Sequence, residues 1–180
     1  MTTLVFGGPR GDPLVRALAL AMEASGVPHV VVDLDARKTD DDAHERRFQI
    51  ALHNLGEIPG GPVLGGFSLG ARIAARLSVQ TNVRGLLCLA YPFHRPGAPK
   101  ERHGLMALSR VTVPTRIIQG TRDNHGTEAE VRGYRLPATA EMVWLEDGNH
   151  RFVPRERSGF TEEGHLAAAM AAAVTFVQGR

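Results

Sequence analysis

Residues 62–74 read PVLGGFSLGARIA. The first six are apolar or glycine and predict a buried strand, while the last six predict the start of a helix. Ser68 stands between the two in a G-x-S-x-G pattern that runs from Gly66 to Gly70. In this pattern the serine occupies a strained turn, and glycines flank it because side chains there would collide with the neighbouring strand and helix. The segment therefore predicts a strand-turn-helix unit with an exposed serine hydroxyl; the alternative is that Ser68 merely caps the helix.

On either side of this unit, short β-type runs alternate with longer helical patterns, which is typical of βαβ units and a mainly parallel sheet. Six candidate strands lie at residues 3–7, 29–32, 62–67, 84–90, 114–119 and 141–145. Helices are predicted over residues 13–25, 41–55, 69–77 and 162–178. We therefore expect one α/β domain over residues 1–180, with about six mainly parallel strands, helices on both faces and no separate lid.

Composition narrows the class of protein. The 180 residues are 43% hydrophobic and 22% charged, as in a compact soluble domain with a substantial core. A net charge of +2 is too small to indicate a nucleic-acid partner. The single cysteine, Cys88, lies in an apolar run, so we expect it in the core rather than in a disulfide or metal site. The chain shows neither a signal peptide nor a membrane span, and we expect a cytoplasmic protein with no membrane partner.

The loops after the candidate strands carry the chemistry. In a parallel sheet these loops share one edge, where ligands bind. A serine hydroxyl needs a general base, and the base needs an acid to orient it. Asp123 follows one strand and His150 follows the next. We favour Asp123 over Asp147 as the acid because the expected chain order is serine, acid, histidine.

Two alternatives concern other residues near these loops. His125 is a rival base, but it lies two residues from Asp123 in the same turn and would bridge poorly to Ser68. The remaining histidines are expected on the surface or in loops: His29, His44, His53, His94, His103 and His165. Trp144 and Phe152, which flank the His150 loop, are expected in the core.

Segments 66–70, 119–123 and 148–150 resemble the nucleophile, acid and base motifs of the α/β-hydrolase superfamily. The similarity covers about residues 60 to 178. Within the superfamily, the chain resembles a small lidless branch related to dienelactone hydrolases and testis-expressed-protein-like hydrolases. It is carried by the strings GGFSLGARIAARL, LAYPFHRPGAP, VPTRIIQGTRDNHGT and HRFVPRERSGFTEEGHLAAAM. The resemblance implies the compact α/β-hydrolase fold and a triad of Ser68, Asp123 and His150.

The N-terminal loop departs from the family pattern. Where the family has a His-Gly-x-Gly-like turn that supplies one oxyanion-hole amide, this chain reads FGGPRG over residues 6–11. Leu69 is expected to supply one backbone amide and Gly8 the other, with Arg10 as the alternative. Pro9 has no N–H, so a proline at the donor position would remove half of the donors.

The segment after strand 84–90 is predicted to form the wall of the substrate pocket, through Tyr91, Phe93 and Arg95. We interpret the arginines near this edge as solvated surface residues, with binding of a substrate carboxylate as the alternative. They are Arg10, Arg72, Arg95 and Arg122.

These observations predict a serine hydrolase that cleaves a small ester, thioester or lactone through an acyl-enzyme on Ser68, with no cofactor and no metal. The expected partner is a small-molecule acyl substrate. A hydrolase-like scaffold that binds a small molecule or a protein and has weak or no activity is the alternative, and acyl transfer to an acceptor other than water is a third. The oligomeric state is not predicted.

Overall fold

Six parallel strands form one sheet in the computed structural model, which describes residues 2–35 and 40–180. Their order across the sheet is β2-β1-β3-β4-β5-β6. The strands are β1 Leu4–Gly8, β2 His29–Asp33, β3 Val63–Phe67, β4 Gly85–Leu89, β5 Thr115–Gly120 and β6 Ala140–Leu145. Every pairing between neighbours is parallel. The predicted strands are thus confirmed, with ends that differ by one residue or less.

Helices cover both faces of the sheet, as predicted. Those in the described residues are α1 Pro13–Ala24, α2 Asp41–Leu55, α3 Leu69–Ser78, α4 His103–Leu108, α5 Glu128–Val131 and α6 Glu162–Gln178. Side chains of α1 and α6 share one apolar core with the sheet, and those of α2, α3 and α4 share the other. Helices α4 and α5 were not predicted because six and four residues are too short to show a helical period.

Local capping explains where the longer helices begin. The Asp12 carboxylate accepts a hydrogen bond from the Leu14 amide at 2.9 Å, and Pro13 takes the first helical position of α1. The Thr161 hydroxyl accepts one from the Gly164 amide at 3.0 Å at the start of α6. These bonds satisfy amides that have no partner inside the helix.

The strand order sets the position of the candidate site. Along the chain, β1 is followed by β2 on one side and then by β3 on the other, so the helical connections leave the sheet in opposite directions. Such a reversal opens a crevice at the carboxyl ends of β1 and β3, where ligands bind in sheets of this type. The loop after β1 and the serine after β3 therefore meet at this crevice.

The core contains Cys88 and Phe152, as predicted, and Trp144 packs partly buried against it. No helix within residues 2–35 and 40–180 is long and apolar enough to cross a membrane.

Candidate active site

Ser68 occupies a strained turn between β3 and α3. Its backbone has φ 51° and ψ −115°, a conformation that residues with a side chain rarely adopt. The Ser68 amide donates to the Leu89 carbonyl at 2.9 Å, which fixes the turn to β4. Its side chain makes no capping hydrogen bond to α3. The alternative that Ser68 merely caps the helix is therefore wrong, because its hydroxyl is directed elsewhere.

Two glycines allow this turn to pack. A Cβ atom on Gly66 would lie 2.0 Å from the carbonyl carbon of Gly70. A Cβ atom on Gly70 would lie 2.0 Å from the carbonyl oxygen of Gly7 in β1. Both distances are far below van der Waals contact, so only glycine fits at either position. The turn and the first residues of α3 consequently lie directly against β1.

A series of hydrogen bonds runs from Ser68 through His150 to Asp123. His150 Nε2 lies 2.9 Å from the Ser68 Oγ atom, and His150 Nδ1 lies 2.8 Å and 3.0 Å from the two carboxylate oxygens of Asp123. Because a carboxylate only accepts, Nδ1 carries the proton and Nε2 presents its lone pair to the serine hydroxyl. This is the arrangement in which a histidine can take a proton from the serine.

Asp123 is completely buried and firmly held. The Gln119 side-chain amide donates to its Oδ2 atom at 2.9 Å, and the His125 backbone amide donates to its Oδ1 atom at 2.8 Å. Together with His150, these donors satisfy a carboxylate that burial would otherwise destabilise.

Asp147, the alternative acid, is engaged elsewhere. Its carboxylate accepts hydrogen bonds from the Arg155 amide at 2.7 Å and Arg155 Nε at 3.1 Å, and it pairs with Arg122 at 3.0 Å. Hydrogen bonds from the Arg155 side chain lower the pKa of Asp147 to about 2. Asp147 therefore holds its own loop together through two arginines, whereas the carboxylate bonded to His150 is that of Asp123.

The prediction that Gly8 supplies an oxyanion-hole amide is wrong. Gly8 pairs with Asp33 of β2, and its carbonyl accepts the Leu34 amide at 3.1 Å. The N–H and C=O of one residue in an extended strand point to the same side, so the Gly8 amide also faces β2. It is directed away from β3 and Ser68.

Neither of the next two residues offers a replacement amide. No peptide bond in the described residues is cis. In a trans peptide the C=O bond of one residue and the N–H bond of the next point to opposite sides of the chain. The Pro9 nitrogen thus faces the side of β3, but it carries a ring carbon instead of a proton. The Arg10 amide donates to the Asp33 side chain at 2.9 Å. Leu69, the first residue of α3, retains an amide with no acceptor inside the helix.

A cavity of about 430 Å³ opens over Ser68. Its walls include Ser68, Leu69, Pro92, His94, Arg95 and His125. Tyr91 and Phe93 were predicted on this wall, but both side chains are fully buried and pack edge to face with ring centroids 5.1 Å apart. The prediction is wrong for these two residues because their neighbours in the alternating segment face the cavity instead.

Three of the arginines near this edge, Arg72, Arg95 and Arg122, are paired with carboxylates of the protein. Arg72 makes a bidentate contact with Asp41 at 2.6 and 2.8 Å, and Arg95 makes one with Glu101 at 2.7 and 2.9 Å. Arg95 remains largely exposed and lines the cavity, as predicted. Pairing leaves little free positive charge at Arg72 and Arg95 for a substrate carboxylate.

Of the histidines expected on the surface or in loops, His44 and His165 lie in helices with buried side chains, whereas His94 lies in a loop as expected but is also buried. His44, His94 and His165 are 2%, 5% and 5% exposed. Each donates a hydrogen bond through one ring nitrogen to a backbone carbonyl, which replaces the lost contact with water.

The chain matches a known protein family and several solved structures. Residues 35–178 match the family described as alpha/beta hydrolase domain. An alpha-beta serine hydrolase homologue from Coxiella burnetii is 18% identical, with a TM-score of 0.74, over 98% of this chain and 85% of that chain. A protein of the alpha/beta hydrolase superfamily from Xanthomonas campestris pv. campestris is 26% identical, with a TM-score of 0.68, over 99% of each chain.

A second Xanthomonas campestris protein, described as a serine hydrolase without a lid, is 18% identical, with a TM-score of 0.70, over 97% of this chain and 82% of that chain. The family match begins at residue 35, after β2. The loop that carries Pro9 therefore lies outside it.

Proposed function

The chain belongs to the alpha/beta hydrolase family, and on this premise we propose that it is a serine hydrolase that cleaves a small ester, thioester or lactone. The observation that carries the proposal is the series of hydrogen bonds from Ser68 through His150 to Asp123, at 2.9 and 2.8 Å. Serine is a weak nucleophile without a base, and here a base with the correct tautomer lies within hydrogen-bond distance.

The reaction follows from these positions. Ser68 Oγ attacks the acyl carbonyl while His150 Nε2 takes the hydroxyl proton, and Asp123 stabilises the imidazolium that forms. The carbonyl oxygen becomes an oxyanion next to the Leu69 amide at the N-terminus of α3, where the helix favours negative charge. His150 then gives its proton to the leaving oxygen or sulfur, and an acyl-enzyme remains on Ser68.

Water completes the cycle. His150 removes a proton from the water as it attacks the acyl-enzyme, and returns that proton to Ser68 when the acid leaves. The cavity of about 430 Å³ supports a small acyl substrate.

One observation favours the alternative of a scaffold with weak activity. The nitrogen of Pro9 faces β3 without a proton, and the amides of Gly8 and Arg10 are engaged with β2. Loss of one oxyanion donor typically lowers kcat by about 10²–10³. We therefore propose that the protein is a slow hydrolase. If it showed no turnover that depends on Ser68, the scaffold alternative would apply.

The experiment that tests the proposal is hydrolysis of p-nitrophenyl acetate by the parent, Ser68→Ala and His150→Ala. Ser109→Ala, a change at an exposed serine, is the matched control. We expect the first two variants to lose about 10³-fold or more in kcat/KM and the control to keep the parental value. Parental turnover that survives loss of Ser68 would contradict the proposal.

A further inference from the structure

His125 lies beside His150 but takes no part in the steps above. The two imidazole centroids are 4.3 Å apart, and the His125 ring lines the same cavity as Ser68. The backbone amide of His125 is bound to Asp123, which fixes the position of the residue. The side chain is therefore a fixed element of the cavity wall at the reacting atoms.

The hydrogen bond of one ring nitrogen determines what the other presents. His125 Nδ1 lies 3.0 Å from the carbonyl oxygen of His94. A carbonyl oxygen only accepts, so Nδ1 is the protonated nitrogen, and in the neutral ring Nε2 is then an acceptor. Burial, followed by the nearby His150, lowers the pKa of His125 below its ordinary value of 6.5. The neutral form consequently prevails at pH 7.

Nε2 has no partner in the described protein. Within residues 2–35 and 40–180, the hydrogen bonds of the His125 side chain involve Nδ1 only. Nε2 is also absent from the polar side-chain atoms there that are both buried and unsatisfied. It is therefore an acceptor open to the cavity, available to water or to a bound molecule.

We infer that His125 is a specificity-determining residue whose Nε2 accepts a hydrogen bond from a hydroxyl group on the alcohol part of an ester substrate. The inference rests on the proposed function and names the substrate class for the same site. Esters of alcohols with a second hydroxyl group, of which a glycerol monoester is a simple example, are the substrates that this geometry fits.

The position of His125 assigns the contact to the alcohol part. His150 hands its proton to the leaving oxygen, so that oxygen must come within hydrogen-bond distance of His150 Nε2. The His125 ring lies 4.3 Å from the His150 ring at an interplanar angle of 38°, and the Phe67 ring lies 5.5 Å from it. A hydroxyl group on a neighbouring carbon atom of the leaving alcohol can therefore donate to His125 Nε2. The Phe67 ring offers such a hydroxyl no acceptor.

The size of the effect follows from a single hydrogen bond. A net contribution of 0.5–1.5 kcal/mol corresponds to about two- to tenfold in kcat/KM. An apolar group in the same place would leave Nε2 without a partner when the cavity is filled, which adds to the discrimination.

The test compares glycerol 1-monobutyrate with n-propyl butyrate, which share the acyl group and the three-carbon alcohol skeleton. Release of butyrate by the parent should favour the glycerol ester about five- to tenfold in kcat/KM. In His125→Phe and His125→Leu, two independent apolar replacements, the ratio should fall to about 1, and in His125→Gln it should recover in part because the amide oxygen accepts. His53→Phe, at an exposed position of α2, is the matched control and should keep the parental ratio.

Each outcome decides the inference. The inference is overturned if the parent has equal kcat/KM for the two esters, or if a folded apolar variant keeps the parental ratio of the two values. An equal loss of kcat/KM on both esters also overturns it, since His125 would then act on every substrate. Turnover of p-nitrophenyl acetate separates the two proposals. If the parent shows no Ser68-dependent turnover, the proposed function fails; if it turns over the activated ester but shows no preference for the glycerol ester, only the role of His125 fails.

Discussion

Replacing Pro9 with alanine supplies the backbone N–H that the loop after β1 lacks. The Gly8 carbonyl accepts from the Leu34 amide of the β2 side at 3.1 Å, so the next nitrogen in a trans chain faces the side of β3. In the parent that direction is filled by the proline ring. In Pro9→Ala we expect this nitrogen to carry a hydrogen-bond donor opposite the Leu69 amide.

The expected gain follows from the value of one oxyanion donor, about 10²–10³ in kcat or about 2.7–4 kcal/mol. Alanine also frees the φ angle that proline fixes, so part of this gain is lost to a less rigid loop. We therefore expect kcat for p-nitrophenyl acetate to rise by at least about tenfold, with a smaller change in KM, because the donor acts on charge that develops in the transition state.

The turn itself should survive the substitution. The carbonyl of residue 9 still accepts the Asp12 amide at 2.8 Å, and the Arg10 amide still donates to Asp33. A stability loss below about 1 kcal/mol is expected, which thermal unfolding measures. Pro137→Ala, in the loop that precedes β6 at the opposite edge of the sheet, is the matched control. A folded Pro9→Ala protein with kcat within twofold of the parent would refute the assignment of Pro9 to the donor position.

Three further predictions concern the acid, the His150 loop and the turn. Asp123→Asn should lower kcat by about 10⁴-fold because an amide favours the wrong tautomer of the histidine, whereas Asp147→Asn should lower the melting temperature and leave kcat within a few-fold. Because the pKa of Asp147 is about 2 against an ordinary 3.8, its contribution to the free energy of unfolding is present above about pH 4 and lost as the pH falls toward 2. Urea unfolding of Asp147→Asn should therefore show a weaker dependence of the free energy of unfolding on pH in that window than the parent does. An equal dependence in the two proteins would refute this. Gly66→Ala should fail to fold or lose activity because its Cβ would lie 2.0 Å from Gly70, while Gly11→Ala, with open space around it, should behave as the parent.

Much of the fold was readable from the sequence because its signals are local. Apolar runs mark the strands, and Asp12 and Thr161 mark helix starts by hydrogen bonds within three residues. The turn at Ser68 was readable for the same reason, since its glycines are required by contacts that always accompany it.

The direction of the Gly8 amide was not readable, because it depends on how β1 pairs with β2, a strand about 25 residues away in the chain. The sequence did contain a signal for the cavity wall that was missed. In the stretch Tyr91, Pro92, Phe93, His94, the two aromatic residues alternate with two residues that line the cavity. Alternation of this kind places successive side chains on opposite sides of the chain.

Covalent labelling tests whether Ser68 is the nucleophile. The protein is incubated with a fluorophosphonate, and the modified residue is located by mass spectrometry of its peptides. We expect a single adduct on Ser68, absent from Ser68→Ala and formed far more slowly in His150→Ala, because His150 is the base that activates the hydroxyl. An adduct on another residue, or labelling that survives in Ser68→Ala, would contradict it.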